Sequence, residues 1–188
     1  MSATARKLAT YGDILALGED VHAEILGGEL FIHASPSWRH GDASGSLMAD
    51  LGKPFKRGDG GPGGWWLLQE TDIVLSTGDV VRPDLLGIRR ERVPLLPEER
   101  PMPADPDFVC EILSPSNEKY DLTEKQAAYL AAGVTHLWHL DPDRRLLTVM
   151  RHSPDGYVIL LRGQDGQTLR LPPFEAIEIA VSGLFPQV

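Results

Sequence analysis

The chain has 188 residues, 42% hydrophobic and 24% charged, which suits one globular domain spanning 1–188 and leaves little room for two. A formal net charge of −9 argues against a protein that coats nucleic acid non-specifically, because neutralising phosphates takes Lys and Arg. The lone Cys110 excludes an internal disulfide and any multi-cysteine zinc site, and points to a reducing, cytoplasmic home.

The opening M-S-A-T-A-R-K-L-A-T lacks the apolar core of a secretory signal, and no window approaches the roughly 18 apolar residues of a membrane span. Residues 10–18 read as a short amphipathic helix with Leu15 and Leu17 near its inner face. Two β-prone runs around Gly27-Gly28 then predict a two-residue hairpin, on which Glu24 and Glu29 read as exposed polar positions. From Pro36 to Phe55 the pattern is helical, with Ser35 as N-cap, Pro36 at the first position, and His40, Ala43, Leu47 and Leu51 on one face. Gly41 and Gly45 suggest close packing against a sheet. His40 points inward, as a structural histidine or a site residue.

The glycine-rich run 58–64 reads as a turn, since no Gly-Lys-Ser/Thr follows it. W-W-L-L-Q-E and T-D-I-V-L-S lie close enough to form one bent strand. In V-V-R-P-D-L-L-G-I, Pro83 interrupts the ladder, so this strand starts late or meets an edge or bulge. Residues 93–106 form a proline-rich extended loop. Alternation in D-F-V-C-E-I-L puts Phe108, Cys110 and Ile112 on one face and Val109, Glu111 and Leu113 on the other, as in a central strand covered on both sides.

The clearest helix runs from Asp121 to Ala132, with Asp121 as a capping residue and Gly133 as C-cap. On a wheel of 100° steps Leu122 and Tyr129 lie about 20° apart, with Lys125 at the margin of the buried stripe. Lys125 either snorkels to water or reaches a carboxylate pair beneath the helix. Strands at 134–140, 145–152, 157–162 and 168–171 follow, and a terminal turn at 182–185. The late hairpins make a homodimer plausible.

Asp84 and Glu111 are single acids inside apolar runs, costly to bury unless something positive faces them. Two carboxylates and a lysine can hold a hard divalent cation and hydrolyse a phosphodiester. A structural ion pair explains the same three residues as well. The basic groups at 53–57 and 82–92 are open to two readings also: solvated faces, or a local nucleic-acid surface on an acidic protein.

P-D at 83–84, V-C-E-I-L-S-P-S at 109–116, Asp121, Lys125, Tyr129, A-G-V at 132–134 and L-W-H-L-D-P at 137–142 resemble the Uma-two-type family of the PD-(D/E)XK nuclease superfamily. A-E-I-L-G-G-E-L (23–30) and P-S-W-R-H (36–40) are similar to that family's N-terminal pattern. The resemblance implies an α/β (α+β), restriction-endonuclease-like fold: a central mixed sheet flanked by helices, with an N-terminal hairpin and C-terminal β-hairpins. It implies an endonuclease acting on DNA, with Asp84, Glu111 and the Ile112 carbonyl binding Mg²⁺ (Mn²⁺ substituting) and Lys125 assisting the attacking water or the phosphate. Glu29 and His40 match family motif positions and stand as further candidates. Leu113 departs from the superfamily pattern, occupying the slot usually given to lysine, and Lys125 takes that role. The other class of function open to such a fold is a catalytically inactive binding or scaffold module, which the acidic charge favours.

Overall fold

A computed structural model describes residues 8–18, 20–116 and 118–187; the extreme N-terminal run 1–7, part of the segment read for a leader, lies outside them. The alternation of Phe108–Ile112 builds the middle of the fold. This strand, β8, has all five residues buried. It sits in a six-stranded sheet of order β11-β10-β9-β8-β6-β3. Its members are β3 (Trp65–Gln69), β6 (Leu85–Arg89), β8, β9 (His136–Asp141), β10 (Leu146–Ser153) and β11 (Gly156–Gln164). The β8–β9 pair is parallel and all others are antiparallel, so the sheet is mixed as expected. A parallel pair needs a crossover. It is supplied by a helical segment formed of α3 (Glu118–Tyr120), a π turn (Asp121–Lys125) and α4 (Gln126–Ala131), closed by Gly133 at φ 76.

The two faces of β8 enter different cores. Phe108, Cys110 and Ile112 pack with Ala43, Leu47 and Leu51 of α2 (Trp38–Leu51), while Val109 packs with Ala128 and Tyr129 of the crossover. The α2 N-cap is Ser37, whose side chain accepts from the His40 N–H, not Ser35; the chain stays extended through Pro36. Gly41 and Gly45 have open space where a Cβ would stand, so neither marks a close approach.

A second sheet, of order β2-β1-β5-β4-β7, covers the crossover face. Its hairpin joins β1 (Ala23–Leu26) to β2 (Glu29–Ile32) through Gly27 at φ 57 and Gly28 at φ 77, the left-handed pair that a two-residue hairpin demands. Next to it, α1 (Tyr11–Leu15) buries Ile14 and turns Leu15 outward, opposite to expectation, because a single turn offers one inward position and Ile14 fills it against Ala23, Ile25 and Val80. Leu17 is likewise exposed.

The runs at 65–70 and 71–76 are not one bent strand. Glu70, at φ 46, turns the chain out of the central sheet into β4 (Ile73–Val74) of the second. The chain comes back through Arg82-Pro83-Asp84, between β5 (Val80–Val81) and β6, which is the interruption that Pro83 announced. The proline-rich loop contributes only β7 (Met102–Pro103), parallel to β4. At the C-terminus β12 (Thr168–Leu169) pairs with an unforeseen β13 (Ile179–Ala180).

Phe174 seals the α2 side of the central sheet. Its ring meets Phe55, Trp65, Phe108 and Trp138 at centroid distances of 4.7, 5.0, 4.8 and 5.8 Å. Phe174→Ala should therefore lower the unfolding free energy by about 3–5 kcal/mol. Urea denaturation measures this, and a loss under about 1 kcal/mol would mean that the ring cluster does not anchor the core.

Candidate active site

The chain leaves the central sheet after β3 at Glu70 and returns to it before β6 at Asp84, and both acids line one small cleft of about 30 Å³. Room on this scale admits an ion or a few waters. Glu111 reaches the cleft from β8, Lys125 and Asp121 from the π turn, His40 from α2 and Glu24 from β1. The structure thus brings Asp84, Glu111, Lys125 and His40 together, with Ile112 beside them. Glu29 is exposed on β2 and does not line the cleft.

Lys125 is the centre of this arrangement. It is 3% exposed, and its Nζ lies 2.8 Å from Glu111 Oε1 and 3.0 Å from Glu24 Oε1. Snorkelling is therefore excluded. Leu122, expected inside, is 38% exposed. The wheel fails because the helix is wound as a π turn over Asp121–Lys125, and the wider i→i+5 winding rotates Lys125 into the buried stripe. Asp121 does not begin the helix either. It is buried inside it, with Oδ1 4.0 Å from Lys125 Nζ.

Each of these carboxylates has more than one partner. Glu111 Oε1 also accepts from the Tyr129 hydroxyl at 2.5 Å. Asp84 Oδ2 accepts from the Ile112 N–H at 2.6 Å, while Oδ1 faces His40 Nε2 at 2.9 Å. Glu24 is fully buried, a correction to its reading as an exposed hairpin acid. Its Oε1 accepts from the Arg82 N–H at 2.6 Å, and its Oε2 lies 3.1 Å from His33 Nε2 without hydrogen-bond alignment. Every residue of β1 is buried because α1 and β5 cover the hairpin's inner strand, so burial did not alternate as a half-exposed strand would.

The electrostatics show an excess of negative charge. Five carboxylates (Glu24, Glu70, Asp84, Glu111, Asp121) face Lys125 and His40. Burial raises the Glu111 carboxyl well above its usual range, even against Lys125. Burial, with Asp84 adding to it, raises Asp121 to about 7 and Glu70 to about 6. Glu24 goes the other way. Burial alone would raise it, but Lys125, His33 and the Arg82 N–H outweigh burial and hold it at about 2. Lys125 is kept charged, its burial overcome by Glu111 and Glu24. Oxygen donors, surplus negative charge and a cavity of ionic size together fit a hard divalent cation.

Sequence reasoning missed Glu24, Glu70 and Tyr129 as members of this group. A signal existed for Glu24, since it is a single acid in an apolar run, the same test that found Asp84 and Glu111.

The family model Uma2, described as "Putative restriction endonuclease", matches residues 8–182. Among solved structures, a "putative nuclease belonging to DUF820" from Anabaena variabilis superposes with a TM-score of 0.71 at 20% identity, over 94% of this chain and 97% of that one. At this identity the likeness establishes the fold: a mixed α+β architecture of nuclease type. No match is found among curated proteins.

The Glu24 shift makes a pH prediction. Its folded pKa of about 2 lies below the ordinary 4.5, so its stabilisation is complete above about 4.5 and is lost as pH falls toward 2. The linkage is on the order of 3 kcal/mol. Stability measured by denaturant between pH 5 and 2 should fall less steeply in Glu24→Gln than in the wild type. Parallel slopes would show that Glu24 does not carry the depressed carboxylate.

Proposed function

Because the chain belongs to the Uma2 family, we propose that it is a metal-dependent endonuclease hydrolysing DNA phosphodiester bonds in the Asp84–Glu111–Lys125 cleft. The observation that carries this reading is the convergence of those three side chains, from three separate elements, on one small cavity with surplus negative charge. Asp84 and Glu111, joined by the Ile112 carbonyl, would hold Mg²⁺ or Mn²⁺. When bound, the ion supplies Lewis acidity and lowers the pKa of water at the cleft.

The chain's own residues do the positioning. Glu24 and Glu111 clamp Lys125 from two sides, so its ammonium is fixed rather than searching, and it presents a preorganised positive charge to a phosphate entering the cleft. Tyr129 fixes Glu111 from beneath, and the Ile112 N–H fixes Asp84. The basic group at 53–57 meets Arg89 and Arg90 at the other end of β3 and β6, where Arg90 donates to the Lys56 carbonyl and Lys53, Arg57 and Arg89 remain exposed. That surface supports a backbone contact with nucleic acid away from the acidic cleft.

Purified protein should nick or linearise plasmid DNA with Mg²⁺ or Mn²⁺ and not with EDTA. Asp84→Ala and Lys125→Ala should each reduce the rate by at least about 100-fold, the scale of losing a preorganised charge-stabilising group. Metal-dependent cleavage that persists unchanged in both variants would sink the assignment. A well-folded wild type that binds metal and cleaves nothing would instead support the binding or scaffold role.

A further inference from the structure

Among the described residues Trp38 is the one Phe, Tyr or Trp left exposed, at 63%. The other tryptophans belong to the central sheet: Trp65 and Trp138 are buried, and Trp66 donates to the Val93 carbonyl. Trp38 is the first residue of α2. The guanidinium of Arg39 lies over its ring, with Cζ 4.9 Å from the centroid. Among the described residues no carboxylate pairs with Arg39, although five acids line the cleft beside it.

The position of this pair is specific. Residues 34–38 are all exposed and form one lip of the cleft, which Ala34, Pro36 and His40 line. Trp38 is two residues from Pro36 and two from His40, so its Cα lies within about 7.6 Å of each of theirs. The indole does not line the cleft itself and stands at its mouth. With Arg39 over one face, the other face is open to a planar ligand.

Two properties of the cleft limit what that ligand is. Glu111 and Lys125 are only 1% and 3% exposed, so a phosphate meets them only from a strand that bends toward the floor. The net charge of −9 also gives the chain little general attraction for a phosphate backbone. Stacking of a base on an aromatic ring adds affinity without neutralising phosphates. In a regular duplex each base is covered by its neighbours, and only a nucleotide out of the stack offers its face to a side chain.

We propose that Trp38 is a stacking platform for an unpaired base beside the scissile phosphate, with Arg39 contacting an adjoining phosphate. The substrate is then single-stranded DNA, or a duplex carrying an unpaired nucleotide. This rests on the DNA-cleaving reading above and adds the substrate class to it.

Three labelled DNAs test the proposal with Mg²⁺: an oligothymidylate, a fully paired duplex, and the same duplex with one bulged nucleotide. The single strand and the bulged duplex should be cleaved at least about tenfold faster than the paired one. Trp38→Ala should weaken oligothymidylate binding, read by anisotropy on rapid mixing, by at least about fivefold, the lower end of the loss on removing a stacking ring. Trp38→Phe should keep most of the affinity, while the quenching of tryptophan fluorescence by the oligonucleotide should disappear. Arg39→Gln should lower the slope of log affinity against log salt by about 0.7, the share of one phosphate contact on a single strand. Trp38 is exposed, so both its variants should melt like the wild type. Equal cleavage of paired and unpaired DNA, or unchanged binding in Trp38→Ala, overturns the stacking platform and leaves the nuclease reading standing. Binding of oligothymidylate that depends on Trp38, with no cleavage of any of the three DNAs, overturns the nuclease reading and upholds the platform.

Discussion

A buried lysine between two buried glutamates holds the halves of this molecule together. Glu24 belongs to the second sheet, Glu111 to the central sheet, and Lys125 to the crossover between them. The contacts at 2.8 and 3.0 Å therefore join three elements in one bond network. An ion pair at this depth is a poor way to gain stability, since desolvation consumes most of the attraction and an apolar trio of similar volume serves as well. Its value lies in geometry. With Tyr129 and the Arg82 N–H fixing the two glutamates on either side, the ammonium has one place to be.

The wider cleft departs further from what folding alone would select. Five carboxylates crowd around Lys125 and His40, and burial, with Asp84 adding to it, pushes Glu111, Asp121 and Glu70 upward. The φ of 46 at Glu70 adds local strain, on the order of 1–3 kcal/mol for a non-glycine residue. The apolar layers on either side carry this burden. The aromatic cluster around Phe174 and the Leu86–Val109–Tyr129 core face opposite sides of β8, so the site is built on a strand buried on both faces.

Much of this was legible in the residues. Alternation in Phe108–Leu113 separated the two faces of the central strand, the Gly27-Gly28 pair placed the hairpin, and Pro83 marked the break before Asp84. The losses have specific physical causes. A wheel of constant pitch cannot anticipate a π turn, so Lys125 and Leu122 were ranked in the wrong order of burial. A left-handed glutamate cannot be read from composition, so β3 and β4 appeared continuous. Glu24 was misjudged because a four-residue strand does not reveal whether one face or both will be covered. Glu70 and His40 meet only because two crossings and a helix end at one point, a relation that no local pattern contains.

The placement of those crossings has one more consequence. Glu70 and Asp84 stand where the chain passes from one sheet to the other, and the excursion between them is the whole of β4 and β5. The acids are thus attached to topology rather than to a contiguous signature. A chain that keeps the two passages and the strand carrying Glu111 keeps these three acids at one point in space. Connectivity, more than any one local pattern, therefore sets where these acids meet.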